Sequence, residues 1–195
     1  MKKRILLVLL TLALAIALVI PMAMPVEASG NTLNLSVQGY EIFAGIVSGG
    51  NRYGATFVAQ VAGRDNDNKT YTGALTVSTN YQGAAPVPGE HNNIIGGSWT
   101  LTLTQNGKTV GTIVGKITGG LVEWYPKATV SPPVVAGTNY GIVTTPITFM
   151  GISKTFAGKS GYGSFNGQDL HASKVYLFGI EVPVVTGTIS LNFTN

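Results

Sequence analysis

The chain has 195 residues, 26 of them glycine, no cysteine, and a formal net charge of +4. The lack of cysteine excludes a disulfide framework, thiol catalysis and a lipid-modified cysteine. Charged residues make up only 10% of the sequence, and the basic ones are scattered singly from Arg52 to Lys174. No basic stripe exists for nucleic-acid binding, so no nucleic-acid partner is expected.

In chain order, the first element is a leader. Lys2, Lys3 and Arg4 precede an apolar run over residues 5–20, which Pro21 and Pro25 interrupt. Val26-Glu27-Ala28 then offers small residues at the two positions a signal peptidase reads. This order predicts a secretory signal peptide over 1–28 and a single all-β domain over 29–195. The apolar run is shorter than the roughly 20 residues that span a bilayer. Membrane contact is therefore expected only through this segment, and only if it stays uncleaved. Removing Lys2, Lys3, Arg4 and Glu27 lowers the net charge from +4 to +2, so the pI near 9.3 belongs largely to the leader. The expected location is outside the cytoplasm, secreted or held at the cell envelope.

Beyond the leader, apolar and polar residues alternate with period 2, the mark of half-buried strands. Leu33, Leu35 and Val37 alternate with Asn34, Ser36 and Gln38. After a turn at Gly49-Gly50, residues 52–61 would place Tyr53, Ala55, Phe57, Ala59 and Val61 on one face. A loop is expected over 64–69, a strand over 71–79, and a loop around Pro86 and Pro88. Trp99, Leu101 and Leu103 alternate with threonines up to Asn106-Gly107, the strongest short hairpin signal because both turn residues need positive φ.

Pairing outward from that turn sets Leu103 against Val110, Leu101 against Thr112 and Trp99 against Val114. If Gly119-Gly120 makes the next tight turn, Glu123 faces Lys116, Trp124 faces Gly115 and Tyr125 faces Val114. Trp99, Val114 and Tyr125 would then share one face, with Trp124 on the other. Strands are further expected over 142–150, 156–165 and 170–178. Pro146 pushes the first of these toward an edge or a bulge, and Pro183 interrupts the segment after the last. Ile189, Leu191 and Phe193 alternate to the end, which predicts a paired C-terminal strand. The fold class is all-β, an antiparallel β-barrel of about nine or ten strands, with a two-sheet β-sandwich as the alternative.

The chemistry-bearing residues are few. Glu123 is a candidate acid or base, but the register above makes it a cross-strand partner of Lys116. Asp169 and His171 lie two apart and would share a strand face, and His91 falls in a Pro/Gly loop. No Gly-x-Ser-x-Gly elbow supplies a nucleophile, so no catalytic residue is assigned. Asp65-Asn66-Asp67-Asn68 resembles a calcium loop until it is counted, when Thr70 falls at the glycine position and Thr76 at the bidentate one. It reads as a polar turn, and neither a metal nor a cofactor is expected.

The aromatics remain. Trp99 and Tyr125, with Phe57 or Tyr176, could line an interior that takes an apolar ligand, as small barrels do. Alternatively Trp124, with exposed tyrosines such as Tyr81 or Tyr162, could form a platform for a sugar ring or another chain. The sequence thus predicts an exported, non-catalytic binding or envelope component. The partner would be an apolar small molecule, a glycan or an envelope protein. A barrel holding a small apolar ligand is the first alternative, and a secreted enzyme using Glu123 or Asp169 with His171 is the second.

Overall fold

The computed structural model describes residues 32–83, 89–126, 139–177 and 180–194, with side chains described outside 125–126, 139–144, 170–177 and 180–182. Ten strands follow in order: β1 (Thr32–Phe43), β2 (Ile46–Ser48), β3 (Asn51–Asp65), β4 (Thr70–Gln82), β5 (His91–Gln105), β6 (Lys108–Ile117), β7 (Leu121–Pro126), β8 (Asn139–Gly151), β9 (Ser160–Leu177) and β10 (Ile180–Phe193). A single 3-10 turn, Lys154–Phe156, lies between β8 and β9. All strand pairings in the sheet are antiparallel, and they run β1-β10-β9-β8-β6-β5-β4-β3 with β1 also paired to β3. The sheet is therefore a closed ring of hydrogen-bonded strands, as the antiparallel barrel reading expects.

Two of the ten strands are continuations rather than new members of the ring. Phe43 pairs with Thr56 and Ile46 with Tyr53 in one unbroken register, so β1 and β2 form one arm with a bend at Ala44-Gly45. Likewise Ile117 pairs with Gly97 and Leu121 with Asn93, so β7 prolongs β6 along β5. Eight arms result. That even number lets an up-and-down chain close with every neighbour antiparallel, and the C-terminal strand completes the circle: Thr32 lies opposite Asn192 and Tyr40 opposite Val184.

Alternation decides which side faces in. Leu33, Leu35, Val37 and the inward-facing Ala55, Phe57, Ala59 and Val61 are buried, as are Leu101, Leu103, Ile113, Ile189 and Leu191. The outer positions between them are mostly Thr, Ser, Asn and Gln, with Val58 an exception, and hydroxyl pairs such as Thr72–Thr104 (2.8 Å) cross between strands. A barrel that faces lipid turns its apolar residues outward; this ring turns them inward. One end of the interior is plugged by aromatics. Phe193 stands edge-on to Phe149 at 5.0 Å and stacks on Phe156 at 5.9 Å, while Tyr71 tilts against Phe156 at 6.3 Å. Each such pair adds about 0.5–1.5 kcal/mol beyond its burial.

Several expectations need correction. The Asn106-Gly107 hairpin forms, but Val110 is an extra residue in a bulge, so Leu103 faces Gly111, Leu101 faces Ile113 and Trp99 faces Gly115. Gly119-Gly120 is not a tight turn. The chain bulges there and runs on in the same direction, so Glu123 lies opposite His91 on one side and Ile142 on the other, far in register from Lys116. Gly96-Gly97 on β5 lies at the same level and bulges too, between Asn80↔Gly96 and Tyr81↔Ile94. A bulge on one strand alone would turn its side chains out of phase with its neighbour. Paired bulges keep β5 and β7 in step.

The same physics moves smaller features. Gly54, at φ +73, shifts the β3–β4 register between Arg52 and Ala55, so Tyr53 is 42% exposed instead of sharing the face of Ala55. Residues 64 and 65 extend β3 instead of opening the loop. Phe156 belongs to the 3-10 turn and its strand starts only at Ser160. Pro146 is not at an edge; it lies at a bulge, the other place expected for it. It sits where the partner of β8 changes from β6 to β7, and its carbonyl accepts the N–H of Thr118 at 3.1 Å.

Candidate functional site

Aromatics pack one end of the interior, and among the described residues a cavity lies farther along it. Trp99 divides the two regions. Its ring meets Phe149 of the plug edge-on at 6.2 Å and also walls a cavity above. The cavity leaves about 70 Å³ to the centres of water-sized spheres. Its apolar wall includes Val37, Phe57, Trp99, Ile147, Phe165 and Ile189, contributed by six different arms.

Trp99 fits because Gly115 lies directly opposite. A methyl group at Gly115 would collide with the indole and with the carbonyl oxygen of Thr148. Trp99 is 3% exposed, and its indole N–H is buried without a hydrogen-bond acceptor. Such a group costs about 1–3 kcal/mol, set against the large apolar area the same ring removes from water.

Among the described lining residues, the polar ones are Thr79, Tyr81, Thr145 and Asp169. Thr79, Thr145 and Asp169 are each 4% exposed or less. Tyr81, Thr79 and Asp169 gather together. Burial first, and then the carboxylates of Asp169 and Glu41, hold the Tyr81 phenol well above its ordinary range, against smaller opposing effects from a Thr79 hydrogen bond and from Arg52. Glu41 is itself buried, two positions beyond Gly39 on the inward face of β1. Arg52 donates from Nη1 to the carbonyl of Ala44 at 2.9 Å.

The sequence-expected residues scatter with respect to this cavity. Trp99 and Phe57 line it. Trp124 is 5% exposed, on the same side of the sheet as Trp99, with its indole N–H donating to Asn92 Oδ1 at 2.6 Å. It therefore supplies no surface platform, and the strand residue opposite it is Gly141, not Gly115. The backbone of Tyr125 lies opposite Tyr140; its side chain, like those of Tyr176 and His171, lies outside the described residues. Val114 alternates away from Trp99. Tyr162 is exposed at 59%, but Tyr81 faces the interior. Glu123 is exposed on β7 while Asp169 is buried in the cavity wall, so the structure does not bring these two carboxylates together.

The Asp65–Lys69 segment is a hydrogen-bonded turn. Asp65 Oδ1 accepts the N–H groups of Asp67 (3.0 Å) and Lys69 (2.9 Å), and Oδ2 accepts the Tyr71 hydroxyl at 2.9 Å. Lys69 pairs with Asp67 at 2.8 Å on the surface. Among the described residues no group of three or more histidines or carboxylates could hold a metal ion.

Tyr81, Thr79 and Thr145 were not anticipated as interior groups. The signal for Tyr81 is present, because Leu75, Val77, Thr79 and Tyr81 keep a strict period of two along β4. Comparison of the chain with protein-family models, with curated proteins and with solved structures finds no match in any of the three.

Proposed function

We propose that this protein is a non-catalytic binder that works outside the cytoplasm and holds a small apolar molecule inside its ring of strands. The observation that carries the reading is the apolar-walled cavity beside Trp99. Aromatics contact one another at one end, whereas above Trp99 a mostly apolar wall leaves open space. Eight-stranded rings are just wide enough to be filled by side chains or to hold one small ligand. The apolar space above Trp99 favours the second use. Export rests on the basic, apolar and small-residue order of residues 1–28 alone.

The test is thermal unfolding of the purified chain against a panel of compact apolar molecules, short oligosaccharides and divalent ions. A ligand that binds only the folded state raises the midpoint, with about 2.7 kcal/mol of stabilisation at a hundredfold excess over its Kd. Compact apolar molecules are expected to raise it and to change Trp99 fluorescence. A shift with oligosaccharides alone, or with nothing, removes this reading. One observation favours a second role as a protein-contacting component: Phe43, Ile46, Val47 and Tyr53 are all exposed on the arm that projects as the β2–β3 hairpin.

A further inference from the structure

We infer that β2 is a self-pairing edge, through which two copies of this chain associate by antiparallel strand addition. This goes beyond the reading of the interior as a ligand site and names the partner of the exposed hairpin. Among the described strands, every one but β2 has at least two hydrogen-bonded neighbours, whereas β2 has β3 alone. The sequence explains why the ring stops short of it. The ladder between β1 and β10 ends at Tyr40↔Val184, and the next position along β10 is Pro183. A proline has no N–H to give a neighbouring strand and sits at edges, strand starts and bulges. From there the β1–β2 arm runs on along β3 only, with Phe43 opposite Thr56 and Ile46 opposite Tyr53.

Native proteins guard an open edge with charges or prolines, because its unpaired N–H and C=O groups are a template for another strand. Here neither a charged residue nor a proline occurs from Ile42 to Asn51. Ile46 is 65% exposed and Val47 53%. As neighbours on a strand they point to opposite faces, so the edge is apolar on both.

The chemistry of the segment selects a second copy as its occupant. An isologous contact brings a segment against itself, so any charge in it would meet its own sign. This segment carries none, and it offers the β-branched Ile46 and Val47 for cross-strand pairs with the same residues of the copy. A lipid surface would cover those side chains too, but hydrocarbon has no partner for the backbone groups of the edge. The product is a four-stranded sheet in which β3-β2 of one copy continues into β2-β3 of the other. Because β2 has only 3 residues, the ladder is short and the association weak and reversible.

The experiment is sedimentation of the purified chain and of Ile46→Lys over about 10 μM to about 1 mM. The native chain is expected to move from monomer toward dimer across that range. Ile46→Lys alters an exposed position, so its circular dichroism should be native. Its association should need about tenfold or more higher concentration, since two ammonium groups would meet across the two-fold axis. The chain has no cysteine, so Ile46→Cys, Val47→Cys and Ser48→Cys each report the contact directly. Facing residues of antiparallel strands have Cα atoms roughly 4.5–5.5 Å apart, within the reach of a disulfide. Under mild oxidation at least one of the three should cross-link about tenfold or more faster than Tyr162→Cys, a similarly exposed control on β9. A monomer throughout, association untouched by Ile46→Lys, or no cross-link faster than the control overturns the inference. So does a monomer that co-floats with phosphatidylcholine vesicles, which assigns the hairpin to a lipid surface. None of these outcomes bears on the interior, whose ligand is read separately from thermal midpoints.

Discussion

Gly115 is the residue on which the site most depends, although it contributes no side chain. Its bare backbone lets the indole of Trp99 lie across β6 and reach Phe149 on β8, forming the floor of the cavity. Gly115→Ala is expected to destabilise the protein by about 1–3 kcal/mol, because the methyl group meets both the indole and a neighbouring carbonyl oxygen that cannot move freely. Urea unfolding measures this. A midpoint unchanged from the native protein would show that Trp99 has another way to pack. The sequence carried half of this arrangement, since a tryptophan crossing a strand glycine was expected. It named Trp124 instead of Trp99, because Gly119-Gly120 is not a tight turn and one extra residue at Val110 shifts every β5–β6 pair beyond it.

Among the elements, the Gly-Gly pairs decide most. Gly49-Gly50 turns the chain back between β2 and β3, with both residues at positive φ. Gly96-Gly97 and Gly119-Gly120 instead make matching bulges in adjacent strands. Locally the three pairs look alike, and only the partner across the sheet separates a turn from a bulge. The break at Gly119-Gly120 also explains Pro146. A proline removes a ladder donor, and here it stands where β8 exchanges one partner for the next. Pro146→Ala should therefore change stability by less than about 1 kcal/mol, mostly through the freer unfolded chain. A loss of several kcal/mol in denaturant unfolding would mean that the proline ring itself supports the sheet.

For the whole molecule, closure is the property that matters. β10 pairs with β1 from Asn192 to Val184, and Ser190 Oγ donates to Asn34 Oδ1 at 2.6 Å across that seam. Removing residues 186–195 would leave unpaired edges on both β1 and β9, which are ready templates for another chain. The truncated protein is expected to aggregate, read by size-exclusion chromatography and light scattering. A monomeric, cooperatively folding product would show that the ring does not need its last strand. The sequence by itself determined the all-β class, the inward and outward faces of most strands, the Asn106-Gly107 hairpin and the paired C-terminus, because each follows from a period of two or from local turn chemistry. Tertiary structure alone decided that β1 meets β10, that Glu123 lies beside His91 and not Lys116, and that Tyr81 and Asp169 face one cavity. Those facts depend on register between strands distant in sequence, and register accumulates every bulge along the way.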